Sequence, residues 1–213
     1  IDNNGNYITS LQIFALLAYY LLEVRNFRGP IIKSVTLGNM ALKLARIYNV
    51  PIFETGVGFK HIAPMMVGQD AILGGEESGG YAFRDHLPER DGILSGILLL
   101  DLIARTGKSL STLLEELYRL IGPHHYDRVD LQFDHQHRQT LISRLNDCHP
   151  KILAETRVTK IDHVDGTRFH LEDGAWVMLR FSGTEPLLRV YAEAGNLERV
   201  GRILRDAQDF VGI

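Results

Sequence analysis

The stretch IIKSVTLGNMALKLARIYNVPIFET, residues 31–55, decides the fold class. Ile31 to Val35 form a continuous, largely β-branched run of the kind a buried strand carries. Asn39 to Asn49 then place Met40, Leu44 and Ile47 on one helical face, and VPIFET, residues 50–55, returns to strand composition. Strand alternating with helix argues for an α/β layer built on a largely parallel sheet.

Working outward, Thr9 or Ser10 caps a helix whose Leu11, Phe14, Leu17 and Leu21 keep helical spacing until RNFRGP, residues 25–30, ends it. DAILGG, residues 70–75, is a further short strand. Gly92 to Arg105 reads as a helix packed through Ile93, Ile97 and Ile103. Another helix is expected to begin near Thr112, where Thr112 and Glu115 have capping-box spacing, and to end near IGPHH, residues 121–125. Beyond it YDRVDLQF alternates strictly, HRQTLISRL is a short amphipathic helix, and TRVTKID, TRFHLE, AWVMLRF and LLRVYAEA read as strands separated by turns such as Asp165-Gly166 and Asp173-Gly174. Leu197, Val200, Leu204, Ala207 and Val211 mark a last amphipathic helix. The expected organisation is an α/β domain over residues 1–122, with flanking helices on a mixed, largely parallel sheet. A smaller α+β domain with an antiparallel sheet and helices follows over residues 123–213.

The 213 residues, 45% hydrophobic and 23% charged, are those of an ordinary globular protein able to bury real cores. A net charge of -3 and a pI near 6.3 give no electrostatic reason to expect nucleic acid or an anionic membrane as a partner. Cys148 is the only cysteine, which excludes a disulfide framework within the chain and points to a reducing, cytoplasmic setting. The apolar runs at 11–22 and 93–104 are too short and too interrupted to span a bilayer, and no signal peptide is legible. Ile1 is not a methionine, and IDNNGNYIT reads as an element end and a helix entry, so the chain is expected to be a piece of a longer one.

Several motifs fail on inspection. TGKS, residues 106–109, ends like a phosphate-binding Walker loop, but Leu102 stands where its first glycine is required, so a turn between helices explains it. GVGFKH, residues 56–61, opens like a dinucleotide fingerprint and ends in His61 instead of glycine. His124, His125, His135 and His137 lack acidic or cysteine partners at ligand spacing and read as exposed linker histidines.

Two segments carry more. In RFSGTEPLLRVYAE, residues 180–193, a strand ends at Arg180, Ser182 and Thr184 offer hydroxyls, and Gly183 lets backbone N–H groups approach a ligand. Arg180 and Arg189 offer forked donors suited to phosphate; the alternative is an ordinary strand–turn–strand with either arginine paired to Glu185. In GGEESGG, residues 74–80, adjacent Glu76 and Glu77 point apart on an extended chain, so a shared-proton pair is not expected. A carboxylate beside Ser78 suits vicinal sugar hydroxyls; the alternative is a glycine turn with solvated acids.

GGEESGG, PERDG, TGVGFKHI and RFSGTEPLLRVYAE together resemble the C-terminal half of the α-D-phosphohexomutases, the phosphoglucomutase/phosphomannomutase group, over essentially the whole chain. The resemblance implies an enzyme that interconverts hexose 1-phosphate and hexose 6-phosphate through a phosphoserine and a hexose 1,6-bisphosphate, with Mg2+. It implies Glu76 and Ser78 as sugar contacts, with Lys60 and Arg90 as further substrate contacts. It implies Arg180, Ser182, Gly183, Thr184 and Arg189 as the phosphate site. No catalytic residue and no metal ligand is expected in this chain, because neither the phosphoserine loop nor the aspartate-rich magnesium loop is present; both belong to upstream domains, the expected partners along with the sugar phosphate. Gly80 departs from relatives that carry a histidine there, so an acid/base role borne by that histidine does not transfer. The competing expectation is a stand-alone, non-catalytic sugar-phosphate binding module.

Overall fold

The computed structural model describes residues 1–183 and 185–212, and of His135 the backbone alone. The chain divides into two compact units, Ile1–Gly122 and Pro123–Ile213.

In the first unit, β1 (Ile31–Ser34), β2 (Ile52–Thr55), β3 (Leu73–Gly75) and β4 (Tyr81–Phe83) form one sheet in the order β2-β1-β3-β4. β1 is parallel to β2 and β3, and β4 closes the edge antiparallel to β3. β1 is buried along its whole length, the signature of a strand covered on both faces. Its end comes one residue early: Val35 opens a 3-10 turn, Val35–Leu37.

Helices cover both faces. α1 (Ser10–Tyr19) starts at the Thr9–Gln12 capping box and continues into a π turn, Tyr20–Val24. α2 (Met40–Ile47) buries Met40 and Leu44, but Ile47 is 48% exposed at its last position, outside the expected stripe. α3 (Phe59–Gln69) has no counterpart in the sequence reading, because Pro64 removes the bond to the Lys60 carbonyl and masks the periodicity. Its Phe59, Ile62 and Met66 pack with Ile32 and Ala82.

Gly74 and Gly75 show how tightly the layers close. A Cβ on Gly74 would sit 2.1 Å from the Met66 sulfur of α3, and one on Gly75 would sit 2.4 Å from the Phe14 ring of α1. Alternate residues of β3 thus meet opposite helical layers, and only glycine lets both approach.

α4 (Gly92–Thr106) is capped by Asp91, whose carboxylate accepts from the Leu94 N–H. Ile93 and Ile97 do not pack as expected: they are 80% and 55% exposed, while Leu102 is buried. α5 (Leu110–Ile121) begins earlier than its capping-box spacing suggested, because the Ser109 hydroxyl accepts from the Thr112 N–H. Gly107 in the left-handed region closes α4 and makes TGKS a helix–helix turn.

The second unit is an antiparallel sheet with the order β5-β10-β9-β8-β7-β6. Its strands are β5 (His125–Gln132), β6 (Ile152–Leu153), β7 (Thr156–Asp162), β8 (Thr167–Leu171), β9 (Trp176–Phe181) and β10 (Leu187–Ala194). α6 (Arg138–Asn146) and α7 (Leu197–Val211) supply Leu141, Leu145, Val200, Ile203, Leu204 and Ala207 to a core with Phe169, Val177, Leu179, Leu188 and Val190. Leu197, placed on the α7 stripe by its spacing, is 65% exposed at the first helical position. His124 corrects the view of exposed linker histidines: its Nδ1 lies 2.8 Å from Glu193 Oε1, and both side chains are buried. No described helix is long and apolar enough to cross a membrane.

Candidate functional site

β1, β2 and β3 all end at one edge of the first sheet, the carboxyl edge where ligands bind in open α/β layers. Three segments leave that edge: the 3-10 turn after β1, the Gly56–Gly58 approach to α3, and the loop Glu76–Gly80. The last is a tight connection, with Gly79 N–H donating to the Glu76 carbonyl at 3.0 Å and Glu76 N–H to the Gly80 carbonyl at 3.0 Å. Gly79 has φ 94°, a value that favours glycine. The loop is pinned to the start of α1: Ser10 Oγ donates to the Glu77 carbonyl, and the Tyr81 hydroxyl donates to the Ser10 carbonyl, each at 2.6 Å. Burial raises the Tyr81 hydroxyl pKa, so it remains a donor.

Within this frame Glu76 is 5% exposed although charged. Ser78 Oγ donates to its Oε1 at 3.0 Å, and Arg90 Nη1 donates to the same oxygen at 3.3 Å. Arg90 is held in addition by Glu89, to which its Nε donates at 3.0 Å, and its guanidinium lies 5.6 Å from the centre of the Phe59 ring. The hydrogen bond to Glu89 and the Glu76 charge raise the Arg90 pKa further. Glu76, Ser78 and Arg90 are therefore one constellation, a buried carboxylate with a hydroxyl and a cation on it. Lys60 is exposed on the first turn of α3, next to Phe59. Glu77 is half-buried, with its carbonyl committed to Ser10. Gly74 and Gly75 serve packing in β3, not the loop that carries Glu76 and Ser78.

In the second unit the β9–β10 turn holds the other candidates. Arg180 and Arg189 are register partners across the two strands. Arg180 Nε is 2.8 Å from Asp165 Oδ2, and the side chain lines a cavity of about 370 Å³ with Asn146, His163, Asp165 and Thr167. Arg189 Nη2 is 3.1 Å from Glu185 Oε2, the pairing the alternative reading named for it, and Arg189 also lies near Asp130. Ser182 is buried: its N–H donates to the Leu187 carbonyl at 2.8 Å, and its Oγ accepts from the Glu185 N–H at 3.3 Å. Among the described residues a Cβ on Gly183 would meet nothing within 4 Å, so packing against them does not explain this glycine. Thr184 lies outside the described residues.

Arg138 was missed by the sequence reading. From the start of α6 its Nη2 donates to the Ser182 carbonyl at 3.1 Å, and its guanidinium lies 5.3 Å from the Phe181 ring centre. Its only sequence signal was an arginine beginning an amphipathic run. Among the described residues no group of three or more His, Cys, Asp or Glu could hold a metal ion.

Residues 9–121 match phosphoglucomutase/phosphomannomutase, alpha/beta/alpha domain III, and residues 145–209 match the C-terminal domain of the same family. The chain belongs to the phosphoglucomutase/phosphomannomutase family. A phosphoglucomutase/phosphomannomutase of Thermococcus kodakarensis is 31% identical over 204 residues, which are 96% of this chain and 42% of that protein. A phosphoglucosamine mutase of Paenarthrobacter aurescens is 32% identical over 96% of this chain and 41% of its own length. The crystal structure of a Thermus thermophilus protein assigned as a phosphomannomutase superposes with a TM-score of 0.78 at 33% identity, over 95% of this chain and 40% of that one. The chain thus spans about two fifths of the length of the relatives it matches.

Proposed function

We propose that this chain is the sugar-recognition and phosphate-anchoring part of a phosphohexomutase. The whole enzyme interconverts hexose 1-phosphate and hexose 6-phosphate through a phosphoserine and a hexose 1,6-bisphosphate. The observation that carries this reading is Glu76, a buried carboxylate on the carboxyl edge of the sheet with a hydroxyl and a guanidinium already on it. Such a group accepts hydrogen bonds from sugar hydroxyls, and Ser78 can both donate and accept. Arg180, Ser182, Gly183, Thr184 and Arg189 hold a phosphate that is not reacting, with Lys60 and Arg90 as further cationic contacts.

Nucleophile and Mg2+ ligands belong, in this reading, to upstream domains of the same polypeptide, because phosphoryl transfer needs both. An ion held there would supply neutralisation of the charge that builds up in phosphoryl transfer. The residues of this chain orient the sugar, and orientation alone is a large part of such catalysis. A phosphoglucomutase/phosphomannomutase and a phosphoglucosamine mutase lie at similar identity to this chain; the hexose proposed is glucose and/or mannose, as the family resemblance implies. A cytoplasmic setting belongs to the same reading.

Titration calorimetry with glucose 1-phosphate and with inorganic phosphate tests this. Glu76→Gln is expected to weaken the sugar phosphate and leave inorganic phosphate unchanged. Given glucose 1-phosphate, glucose 1,6-bisphosphate and Mg2+, the chain alone is expected to form no glucose 6-phosphate. Steady turnover by the pure chain, or equal sugar-phosphate affinity for Glu76→Gln, overturns the proposal.

A further inference from the structure

Gly80 is not in the left-handed region, so its φ does not demand a glycine. The space around it does. A Cβ built on Gly80 would lie 2.3 Å from Cδ and 2.7 Å from Cγ of Arg90, and 3.3 Å from Oε1 of Glu76. The aliphatic stem of Arg90 therefore lies in the space that a side chain at residue 80 would fill. From that seat the guanidinium reaches Glu76 Oε1 while it covers the Phe59 ring.

We infer that Gly80 is a specificity-determining residue: by lacking a side chain it admits Arg90 to Glu76, and so decides whether the hydroxyl-binding carboxylate is presented with a cation on it. First, a contact of 2.3 Å is far inside van der Waals distance, so a methyl at residue 80 and Arg90 in its present seat exclude each other. Second, the Arg90 side chain is 53% exposed, so it can leave without opening a cavity or unfolding the loop. Third, Glu76 is 5% exposed and keeps only Ser78 among its side-chain partners named above when Arg90 goes, which changes what the carboxylate prefers to bind. With Arg90 present the pair offers a carboxylate and a forked cation side by side, suited to a ligand that is both hydroxylated and anionic. Without it the carboxylate favours a neutral or cationic hydroxylated ligand.

The ligand side of this inference rests on the proposed sugar-phosphate function; the geometric side does not. Three variants of the chain, Gly80→Ala, Arg90→Ala and the double substitution, separate the two. A crystal structure of Gly80→Ala is expected to show Arg90 out of hydrogen-bond distance of Glu76, with the loop otherwise in place. Calorimetry with glucose 1-phosphate is expected to show about a tenfold loss for Gly80→Ala, the same for Arg90→Ala, and no further loss in the double variant, as for one lost charge-assisted hydrogen bond at a half-exposed site. Arg90 still bonded to Glu76 in Gly80→Ala, or losses that multiply in the double variant, overturns the inference. If the unaltered chain binds no glucose 1-phosphate while Arg90 leaves Glu76 in Gly80→Ala, the proposed function fails and the steric coupling stands.

Discussion

Arg180 and Arg189 stand opposite each other across β9 and β10, and each already holds a carboxylate: Asp165 at 2.8 Å for Arg180, Glu185 at 3.1 Å for Arg189. Like charges opposed across a ladder repel, and the two acids offset that repulsion. An incoming phosphate would have to compete with, or be added to, these carboxylates.

Arg180→Ala is expected to weaken both glucose 1-phosphate and inorganic phosphate by roughly 1.5–3 kcal/mol, the value of a hydrogen bond to a charged group. Glu185→Gln, which removes an exposed competitor of Arg189, is expected to leave phosphate binding unchanged or tighter. Calorimetry with inorganic phosphate reads both, and an unaltered affinity in Arg180→Ala would show that this arginine is structural.

Gly75→Ala drives a methyl to 2.4 Å from the Phe14 ring. Overpacking of this kind costs about 1–3 kcal/mol, and the cost is expected to shrink in a Phe14→Leu background, where the obstructing ring is absent. Urea denaturation of the single and double variants measures both.

Asp162 faces Arg168 across β7 and β8 and also accepts from His170. Burial opposes its charge, yet His170 and Arg168 outweigh that and hold the carboxyl below its ordinary pKa. A depressed folded pKa stabilises at pH above the unfolded value of about 3.9, and the contribution is lost as pH falls through the folded value. Asp162→Asn should cost about 1.5–3 kcal/mol near neutral pH, the value of a hydrogen bond to a charged group, by removing the charge to which Arg168 and His170 are bonded. The gap between wild type and variant should narrow below about pH 4; denaturation at pH 7 and pH 3 tests both.

Ser109→Ala removes the cap of α5 and is expected to cost about 1 kcal/mol, whereas Thr112→Ala, two residues inside the helix, should change stability by a few tenths. Thermal melts of the two variants compare the capping positions directly. A larger loss for Thr112→Ala would restore the later helix start.

How much was legible depends on the range of the physics involved. The strand–helix–strand reading of residues 31–55 and the span of β7 came from local periodicity, which only nearby residues determine. α3 was hidden because Pro64 speaks locally against a helix, while Phe59, Ile62 and Met66 are rewarded only by the sheet they cover. Ile93 and Ile97 misled for the mirror-image reason: helical spacing says that a stripe exists, not which neighbour covers it. Arg138 reached Ser182 across 44 residues of chain, a distance no spacing rule spans.

By itself the sequence determined the two-part organisation, the family resemblance and the loops that carry Glu76, Ser78, Arg180 and Arg189, since these are properties of short windows and residue types. Only the tertiary structure decided what the glycines do. Gly74 and Gly75 admit Met66 and Phe14 from opposite layers, Gly183 would meet no described residue with a Cβ, and Gly80 makes room for Arg90. A missing side chain has no chemistry of its own; its meaning is set by whichever distant atom the fold brings into the space it leaves.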